Sequence, residues 1–467
     1  MRKLGFPAIL VIISVALSLA APLERALAAP LGDVLAQSAV LLETNSGSVL
    51  YEKNMLARRS PDNLVKVMLL LAAARAYENG DVGLDDTVTV DESAWLGLGS
   101  AAGSGLSPGE QMKFLDLLYM AYFGINDAAC NAVAAFVAGG EAQFVDMMNA
   151  EAYALGCADT KFANTHGGLD PEQYTTAWDL AVILKEACGH SLFVQVAGEF
   201  STTIAATNYN DRRDIRSPNY ILGETSKYYY SDATTARASG TYENGYGVTA
   251  SARRDDISLV AVVLGASAVI LDDESTQMQN LTECVKLFDW GFNNFGWRNV
   301  LSTGELIAQA PVRYADGADS ILLRPSKSIE MLLANDVDEG AFTRVITIYA
   351  VRDGETLTAP VDKGAILGEV TVFFNGENCG TSALVANTGV ELQRIRYLED
   401  QVLLALGSRW VKFSIFLLVI LFSVYAALVI RYNRLRRERI RKITEAKQRL
   451  IDERKSDGRD FDEYTRF

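Results

Sequence analysis

Two polar residues, one helical turn apart, lie in an otherwise apolar segment of this 467-residue chain. Asn63 precedes Lys66 by three residues, so both side chains would share one face of a helix. Pro61 suits a first helical turn, and apart from Lys66 and Arg75 every residue over 64–76 is apolar. A serine at position 63 would give the S-x-x-K spacing, in which a lysine activates a hydroxyl as a nucleophile. The spacing is intact here, but Asn63 provides no hydroxyl.

Lys66 allows more than one interpretation from the sequence alone. A buried lysine is costly, so it is usually either paired or functional. Lys66 could instead lie at a helix start with its ammonium group extended into water. A third interpretation is a structural hydrogen bond between Lys66 and Asn63. The rest of the chain favours a functional origin for the segment.

Composition excludes several classes of function. The formal net charge of −15 argues against nucleic acid as a partner. Two histidines, His166 and His190, argue against a histidine-based metal or triad site, and we expect no metal and no cofactor. The five cysteines lie far apart and include no C-x-x-C, so they predict neither a zinc site nor a dense disulfide framework, and several should be buried thiols.

The N-terminal segment, 1–28, has the pattern of a secretory signal. Arg2 and Lys3 form the positive end, and an apolar run covers residues 10–21. The run Ala26-Leu27-Ala28 resembles a cleavage site. The alternative interpretation is an uncleaved anchor.

The next part of the chain predicts an α+β domain over residues 29–297, with one sheet packed against helices. Apolar runs around a turn at 45–47 predict a hairpin over 38–53. A polar, aromatic stretch over 208–230 has no clear period and predicts a surface loop. The predicted helices cover 61–79, 112–122, 128–137, 143–155, 175–188 and 276–295, and two further strands cover 245–253 and 257–264.

The pattern of apolar residues along the sequence changes near residue 300. Short apolar or alternating runs separated by Asp-Gly and Asn-Gly turns predict a small all-β domain over 298–392. An amphipathic linker, 393–412, follows. Residues 413–430 contain no charge and predict one transmembrane helix. The tail, 431–467, is rich in arginine and lysine, which predicts a cytoplasmic location and places both domains outside.

Several motifs in this order resemble the D-alanyl-D-alanine carboxypeptidases, which are low-molecular-mass penicillin-binding proteins. The resemblance covers about residues 33–390. It implies a transpeptidase/β-lactamase-like α+β domain and a small β domain. The segments that carry it are 59–66, similar to the segment around the nucleophile; 124–128, similar to S-G-N-D-A; 164–170, similar to N-P-H-G-L-D; 238–240, similar to K-T-G, with a partner strand at 245–255; and 357–368 in the second domain.

The resemblance also identifies the positions that depart from the family pattern. Asn63 replaces the serine nucleophile, and Gly124 replaces the serine of the second motif. Ala238 replaces the third-motif lysine. This loss weakens recognition of the substrate carboxylate, unless a rotated Arg237 supplies the cation. Ser239 stands in place of the third-motif threonine at a substrate-binding position, and Lys66, Asn126 and Gly240 remain as in the family pattern. Asn126 could equally be a helix cap, and His166 is better explained as a loop anchor than as a catalytic residue.

The three substitutions imply a catalytically silent relative, because an amide cannot accept an acyl group at the nucleophile position. Such a protein would bind peptidoglycan stem peptides or cell-wall proteins without hydrolysing them. One alternative is an active serine-type carboxypeptidase that trims stem pentapeptides through a nonstandard site. Another is a non-enzymatic membrane scaffold with a closed cleft. The sequence leaves the oligomeric state open.

Overall fold

The computed structural model describes residues 31–98, 105–124, 126–241, 243–353 and 356–456. The predicted secretory signal and the end of the tail, residues 457–467, lie outside the described residues. The described chain divides into two compact units. The first contains the chain up to Ser302 with Lys327–Val345 and Thr371–Thr381; the second contains Thr303–Ser326, Ile346–Val370 and the chain from Ser382 onward.

The chain up to Ser302 has an α+β fold, as predicted. Its strands are β1 (Ser38–Glu43), β2 (Val49–Lys53), β3 (Thr87–Thr89), β4 (Gln111–Lys113), β5 (Ser201–Ile204), β6 (Arg213–Arg216), β7 (Ala233–Thr241), β8 (Gly245–Arg254), β9 (Ile257–Ala266), β10 (Ala268–Ile270), β11 (Thr276–Met278) and β12 (Phe295–Leu301). Its helices are α1 (Val65–Glu78), α2 (Phe114–Phe123), α3 (Asp127–Ala138), α4 (Glu141–Ala154), α5 (Ala177–Ala187), α6 (Ser191–Ala197) and α7 (Gln279–Asn294).

One antiparallel sheet positions the site. Its strand order is β2-β1-β9-β8-β7, so β7 is an edge strand. Successive side chains of a strand point to opposite faces. On β1, Val40 and Leu42 therefore pack in the core with helices α1–α6, whereas Ala39 and Leu41 pack in the core with α7. Apolar residues on both faces explain why β1 and β9 are nearly continuous apolar runs.

Helix α1 lies inside the larger of these cores. Its apolar run from Val65 is buried on all sides, which is why it lacks a polar face. Pro61 precedes a short 3-10 turn, Asp62–Leu64, that leads directly into α1. The predicted helix over 61–79 is therefore confirmed, with its first turn in the tighter 3-10 form.

Two sequence predictions need correction in this region. The helix predicted from residue 112 begins at Phe114, because Gln111–Lys113 pairs with β3 as a strand. The prediction of a surface loop over 208–230 was correct for most of the segment, which is irregular and largely exposed, but not for all of it. That segment contains β6, which pairs with β5, and it places Asn219 and Ile221 in the interior with no exposed surface.

The region after Asn294 is rich in strands, as predicted. Strand β12 pairs with β15 (Ile329–Ala334), and β14 (Ser320–Pro325) pairs with β13 (Ala308–Arg313) and β19 (Glu377–Ala386). The remaining elements are β16 (Phe342–Ile348), a short helix α8 (Tyr349–Arg352), β17 (Leu357–Thr358) and β18 (Ile366–Phe374). The assignment of residues 298–392 to one small domain stays a prediction.

Two helices end the described chain: α9 (Arg394–Gly407) and α10 (Arg409–Ser456). Among the described residues, one helix is long and apolar enough to cross a membrane, and it lies within α10 at Arg409–Glu453. The bent pairs α3–α4 and α5–α6 pass the same test if each is joined, but their apolar residues fill the core of the α+β unit. The predicted span 413–430 therefore lies inside a longer continuous helix.

Candidate active site

The turn before α1 holds its residues in a constrained conformation. Asp62 has a φ of +44°, in the left-handed region that non-glycine residues rarely adopt. Its Oδ1 accepts hydrogen bonds from Ser60 Oγ at 3.0 Å and from Asn244 Nδ2 at 3.2 Å. Burial raises the pKa of the Asp62 carboxyl, and these two donors oppose the rise. The turn fixes the position of Asn63, which is partly exposed beside it.

Lys66 has no exposed surface and is held by partners far along the chain. Its Nζ donates to Gly124 O at 3.2 Å and lies 3.4 Å from Asp127 Oδ1. No hydrogen bond joins Lys66 to the Asn63 side chain within the part of the chain that the structure describes. The proposed structural pair with Asn63 is therefore replaced by contacts with the α2–α3 junction.

Gly124 and Asn126 lie at that junction. Gly124 ends α2, and a Cβ added there would lie 2.8 Å from Met120 O, so a larger residue would require a shift of the backbone. Asn126 caps α3, where its Oδ1 accepts from Ala129 N at 3.2 Å. The helix-cap interpretation of Asn126 is therefore confirmed. The Asn126 side chain is buried, as is the side chain of Lys66.

His166 anchors the loop that faces the start of α1. Its Nδ1 accepts from Gly168 N at 3.0 Å, which leaves the proton on Nε2, 3.8 Å from Glu141 Oε1. Burial lowers the pKa of His166, and Lys66 adds to that effect, whereas Asp127 and Glu141 oppose it. The neutral ring therefore stabilises the loop conformation, in agreement with the loop-anchor interpretation.

Gly167, in the same loop, lies directly against the turn before α1. A Cβ on Gly167 would lie 2.3 Å from Asp62 O and 2.7 Å from Asn63 N. Its φ of +92° also favours glycine. The backbone of this loop thus packs against the backbone at position 63 with no room for a side chain.

Strand β7 brings a second cation to the site. Arg237 is 2% exposed, and its Nε donates to Asn63 O at 3.3 Å. Its Nη1 donates to Tyr122 O, and its guanidinium lies over the Tyr122 ring, 5.4 Å from the centroid. Burial lowers the pKa of Arg237. The sequence analysis raised Arg237 as an alternative cation, and the structure places its side chain in the interior beside Asn63.

The neighbours of Arg237 on β7 have different environments. Ala238 packs in the core with α7, on the opposite face of the sheet from Asn63, so it lies away from the site. Ser239 Oγ is buried without a hydrogen-bond partner in the described structure. Gly240 has a φ of +128°, and a Cβ there would lie 2.4 Å from Tyr246 Cα. Gly240 is therefore required by the close approach of β8.

Two cavities flank this cluster. One of about 330 Å³ is lined by Arg59, Ser60, Asp62 and Ser239, among others. Another of about 450 Å³ is lined by Phe123, Gly124, Phe200, Arg216 and Tyr220, among others. Asn63, Lys66 and Arg237 line neither cavity. The structure thus brings Asn63, Lys66, Gly124, Asn126 and Arg237 together, with Ser239 beside them and Ala238 turned away.

These features define a class of protein. An α+β body, a lysine one turn into a buried helix, an Asn-capped second helix and an edge strand at the cleft are the parts of a penicillin-binding peptidase. The family model of D-alanyl-D-alanine carboxypeptidases matches residues 24–268. This chain belongs to that family.

Curated relatives and a solved structure agree with this assignment. The chain is 27% identical over 355 residues to D-alanyl-D-alanine carboxypeptidase DacF of Bacillus subtilis, covering 75% of this chain and 85% of that protein. It is 29% identical over 373 residues to DacC of Escherichia coli, covering 79% and 87%. Penicillin binding protein 5 from Haemophilus influenzae aligns with a TM-score of 0.56 at 25% identity, covering 77% of this chain and 98% of that chain.

Proposed function

We propose that this chain is a catalytically silent carboxypeptidase-family protein that binds cell-wall peptides at the membrane surface. The observation that carries the proposal is Asn63, the residue one turn before Lys66. An amide nitrogen is not nucleophilic and forms no alkoxide, so no acyl-enzyme can form at this position. Peptide bonds entering the cleft would meet a hydrogen-bonding group instead of a nucleophile.

The surroundings of Asn63 support the same conclusion. Lys66 is held by Gly124 O and Asp127, so its ammonium is fixed in an ion pair rather than poised beside a hydroxyl. Gly124 supplies no hydroxyl for proton transfer to a leaving amine, and Met120 O restricts the space for one. A working site needs these groups to act as a unit, so the loss of the nucleophile alone already removes most of the catalysis that the unit provides.

Arg237, rather than Ala238, takes the place of the motif cation in this proposal. The Arg237 side chain lies on the face of the sheet that packs against α1–α6, whereas Ala238 lies on the face that packs against α7. The guanidinium is bound to two backbone carbonyls in the interior, so a substrate carboxylate would have to displace those contacts. Arg237 therefore joins β7 to the turn before α1 and to Tyr122, and a peptide carboxylate bound in the cleft would exchange with those contacts.

The ligand class follows from family membership and from what remains of the cleft. The edge strand β7, the loop at His166 and both flanking cavities are retained beside the substituted positions. Peptidoglycan stem peptides are the ligands that such a cleft would meet outside the membrane. Cell-wall proteins carrying a similar extended peptide are the other partners that fit.

Membrane attachment follows from α9 and α10. The polar face of α9 contacts the preceding β unit, where Tyr314 OH bonds Asp400 Oδ2 at 2.8 Å and the rings of Tyr314 and Tyr397 meet edge to face. Ile395, Leu398 and Val402 lie on the opposite side and are exposed. The span follows after one non-helical residue, Ser408. These exposed apolar residues support a position of α9 on the outer surface of the membrane.

The orientation follows from charge. Arg431, Arg434, Arg436 and Arg437 come directly after the span 413–430, whereas few basic residues precede it. This asymmetry supports a cytoplasmic location for the tail. Protease added to intact cells should remove the α+β unit and leave a tail epitope protected. Digestion of the tail from outside would contradict this orientation.

The decisive experiment for catalytic silence is intact-mass spectrometry of the detergent-solubilised full chain after incubation with penicillin. We expect no covalent adduct, because position 63 has no hydroxyl. A stoichiometric mass increase that maps near residue 63 would overturn the proposal in favour of an active carboxypeptidase. Calorimetry should still detect binding of a stem pentapeptide to the chain. A chain that neither acylates nor binds the peptide would be the non-enzymatic scaffold instead.

A further inference from the structure

The part of α10 beyond the candidate span carries an exposed apolar stripe, here named the tail stripe. It consists of Tyr432, Leu435, Ile443, Ala446 and Leu450. Steps of three and four positions, or multiples of them, place these side chains on one helix face. The pattern repeats along the helix, since Tyr432 corresponds to Ile443 and Leu435 to Ala446. An 11-residue repeat keeps a face aligned along a helix that packs against another helix.

The stripe is exposed to solvent in the single chain. Tyr432 is 66% exposed, Ile443 67% and Leu450 59%. The opposite face of the same helix carries Arg441, Glu445 and other polar residues, and Arg441 Nε bonds Glu445 Oε1 at 2.8 Å. The tail is therefore amphipathic rather than uniformly polar, and its apolar face needs a partner.

The membrane itself is out of reach for most of this stripe. Helix α10 runs without interruption from Arg409 to Ser456, so the tail continues along the axis of the span. At a rise of about 1.5 Å per residue, Ile443 lies roughly 20 Å and Leu450 roughly 30 Å along the axis from Ile430. Those distances exceed the Debye length of about 8 Å at physiological ionic strength. A protein surface, rather than lipid, is the occupant that this geometry permits.

Charge decides which segment of the tail can approach a second copy. Residues 431–442 contain seven basic residues and one acidic residue, and in the proposed orientation, on which this inference rests, they follow the span next to the anionic headgroups of the inner leaflet. Residues 443–453 contain two basic and three acidic residues, a net charge of −1. Two copies of the second segment therefore lack the strong repulsion of the first. Arg439 interrupts the stripe, so the continuous apolar contact begins at Ile443.

We propose that the tail stripe is a homodimer interface, in which the α10 helices of two copies pack in parallel. Insertion in the same membrane gives both copies the same direction and depth, so Ile443 of each copy lies at the same height. Confinement to the bilayer raises the effective concentration of one tail around the other. A symmetric contact then forms from the same residues on both copies. The interface is independent of the chemistry at Asn63.

The test is cysteine crosslinking of the full chain in vesicles that contain phosphatidylglycerol. Cys188→Ala and Cys379→Ala remove the thiols that are not fully buried. Into this background go Ile443→Cys or Leu450→Cys on the stripe, and Gln448→Cys as the matched control on the opposite face. We expect disulfide-linked dimers to form about tenfold faster at the stripe positions, because confined helices meet through one face. Equal rates on both faces, or no dimer at the stripe, would overturn the proposal.

A second measurement separates a dimer from burial in lipid. Fluorescence energy transfer between labelled full-length chains in the same vesicles should be lost in Ile443→Asp with Leu450→Asp, and kept in Gln448→Asp. If the stripe thiols fail to crosslink but are protected from a water-soluble reagent only in anionic vesicles, the membrane covers the stripe and the dimer is excluded. If the aspartate pair leaves the energy transfer unchanged, the contact lies elsewhere and the proposal fails.

Discussion

Replacing Lys66 by methionine tests whether the retained lysine has become a structural residue. Methionine preserves most of the side-chain volume, so the change removes the charge and its two contacts with little change in packing. Lys66 has no exposed surface, whereas the Asp127 side chain is 25% exposed. The variant therefore leaves Gly124 O without its donor and leaves a carboxylate that water can partly rehydrate.

The magnitude follows from these two losses. A hydrogen bond to a charged group contributes about 1.5–3 kcal/mol. Removing one partner of a fully buried ion pair costs about 3–5 kcal/mol, and the exposure of Asp127 reduces that figure. We expect Lys66→Met to lower the free energy of unfolding by about 2–3 kcal/mol. At roughly 2–4 °C per kcal/mol for a domain of this size, Tm should fall by about 4–12 °C.

Thermal unfolding of the full chain in detergent, followed by tryptophan fluorescence, measures this effect. Lys185→Met is the matched control, because Lys185 is an exposed lysine on helix α5. A surface change of this kind should alter stability by about 0.5 kcal/mol or less. If Lys66→Met destabilised the protein no more than Lys185→Met, the buried contacts with Gly124 and Asp127 would not stabilise the fold. Lys66 would then be better explained by a function that the proposal denies.

Three further predictions concern the same region. Gly167→Ala should destabilise the fold by about 3 kcal/mol or more, because its Cβ would meet Asp62 O, whereas Gly156→Ala, with open space at a similar φ, should cost only about 1 kcal/mol in the same melt. Gly124→Ser should lower the free energy of unfolding by about 1–3 kcal/mol through the contact with Met120 O, and Gly124→Ala should lower it by as much. An unchanged stability of Gly124→Ser would show that the backbone at the α2–α3 junction shifts to admit the side chain. Burial lowers the pKa of His166, so the unfolded chain binds that proton more tightly than the folded chain does. The contribution of the neutral His166 to the free energy of unfolding should therefore be fully present above the ordinary pKa of 6.5 and should fall as the pH drops below it. His166→Gln should have a flatter dependence in urea titrations between pH 7 and 5, and an unchanged slope would contradict the assignment.

The sequence alone determined the residue types at the site and most of the elements that carry them. The absence of a hydroxyl at position 63 is a property of the residue, so no tertiary arrangement changes it. Continuous apolar runs predicted β1, β9 and α1 because each of these elements is buried on more than one side. The span was also predictable, since the uncharged run 413–430 is long enough to match the bilayer thickness.

The tertiary structure decided which side chains meet at the site. Lys66 is paired with residues 58 and 61 positions away, and no local pattern indicates a contact at that separation. The inward position of Arg237 depends on the pairing of β7 with β8, because a shift of one residue would have placed Ala238 in the cleft instead. The segment 208–230 has no periodic pattern, yet Asn219 is buried where its Oδ1 accepts from Ala238 N at 2.8 Å. Register and long-range hydrogen bonds therefore determined the site, because they depend on elements that are distant in the chain.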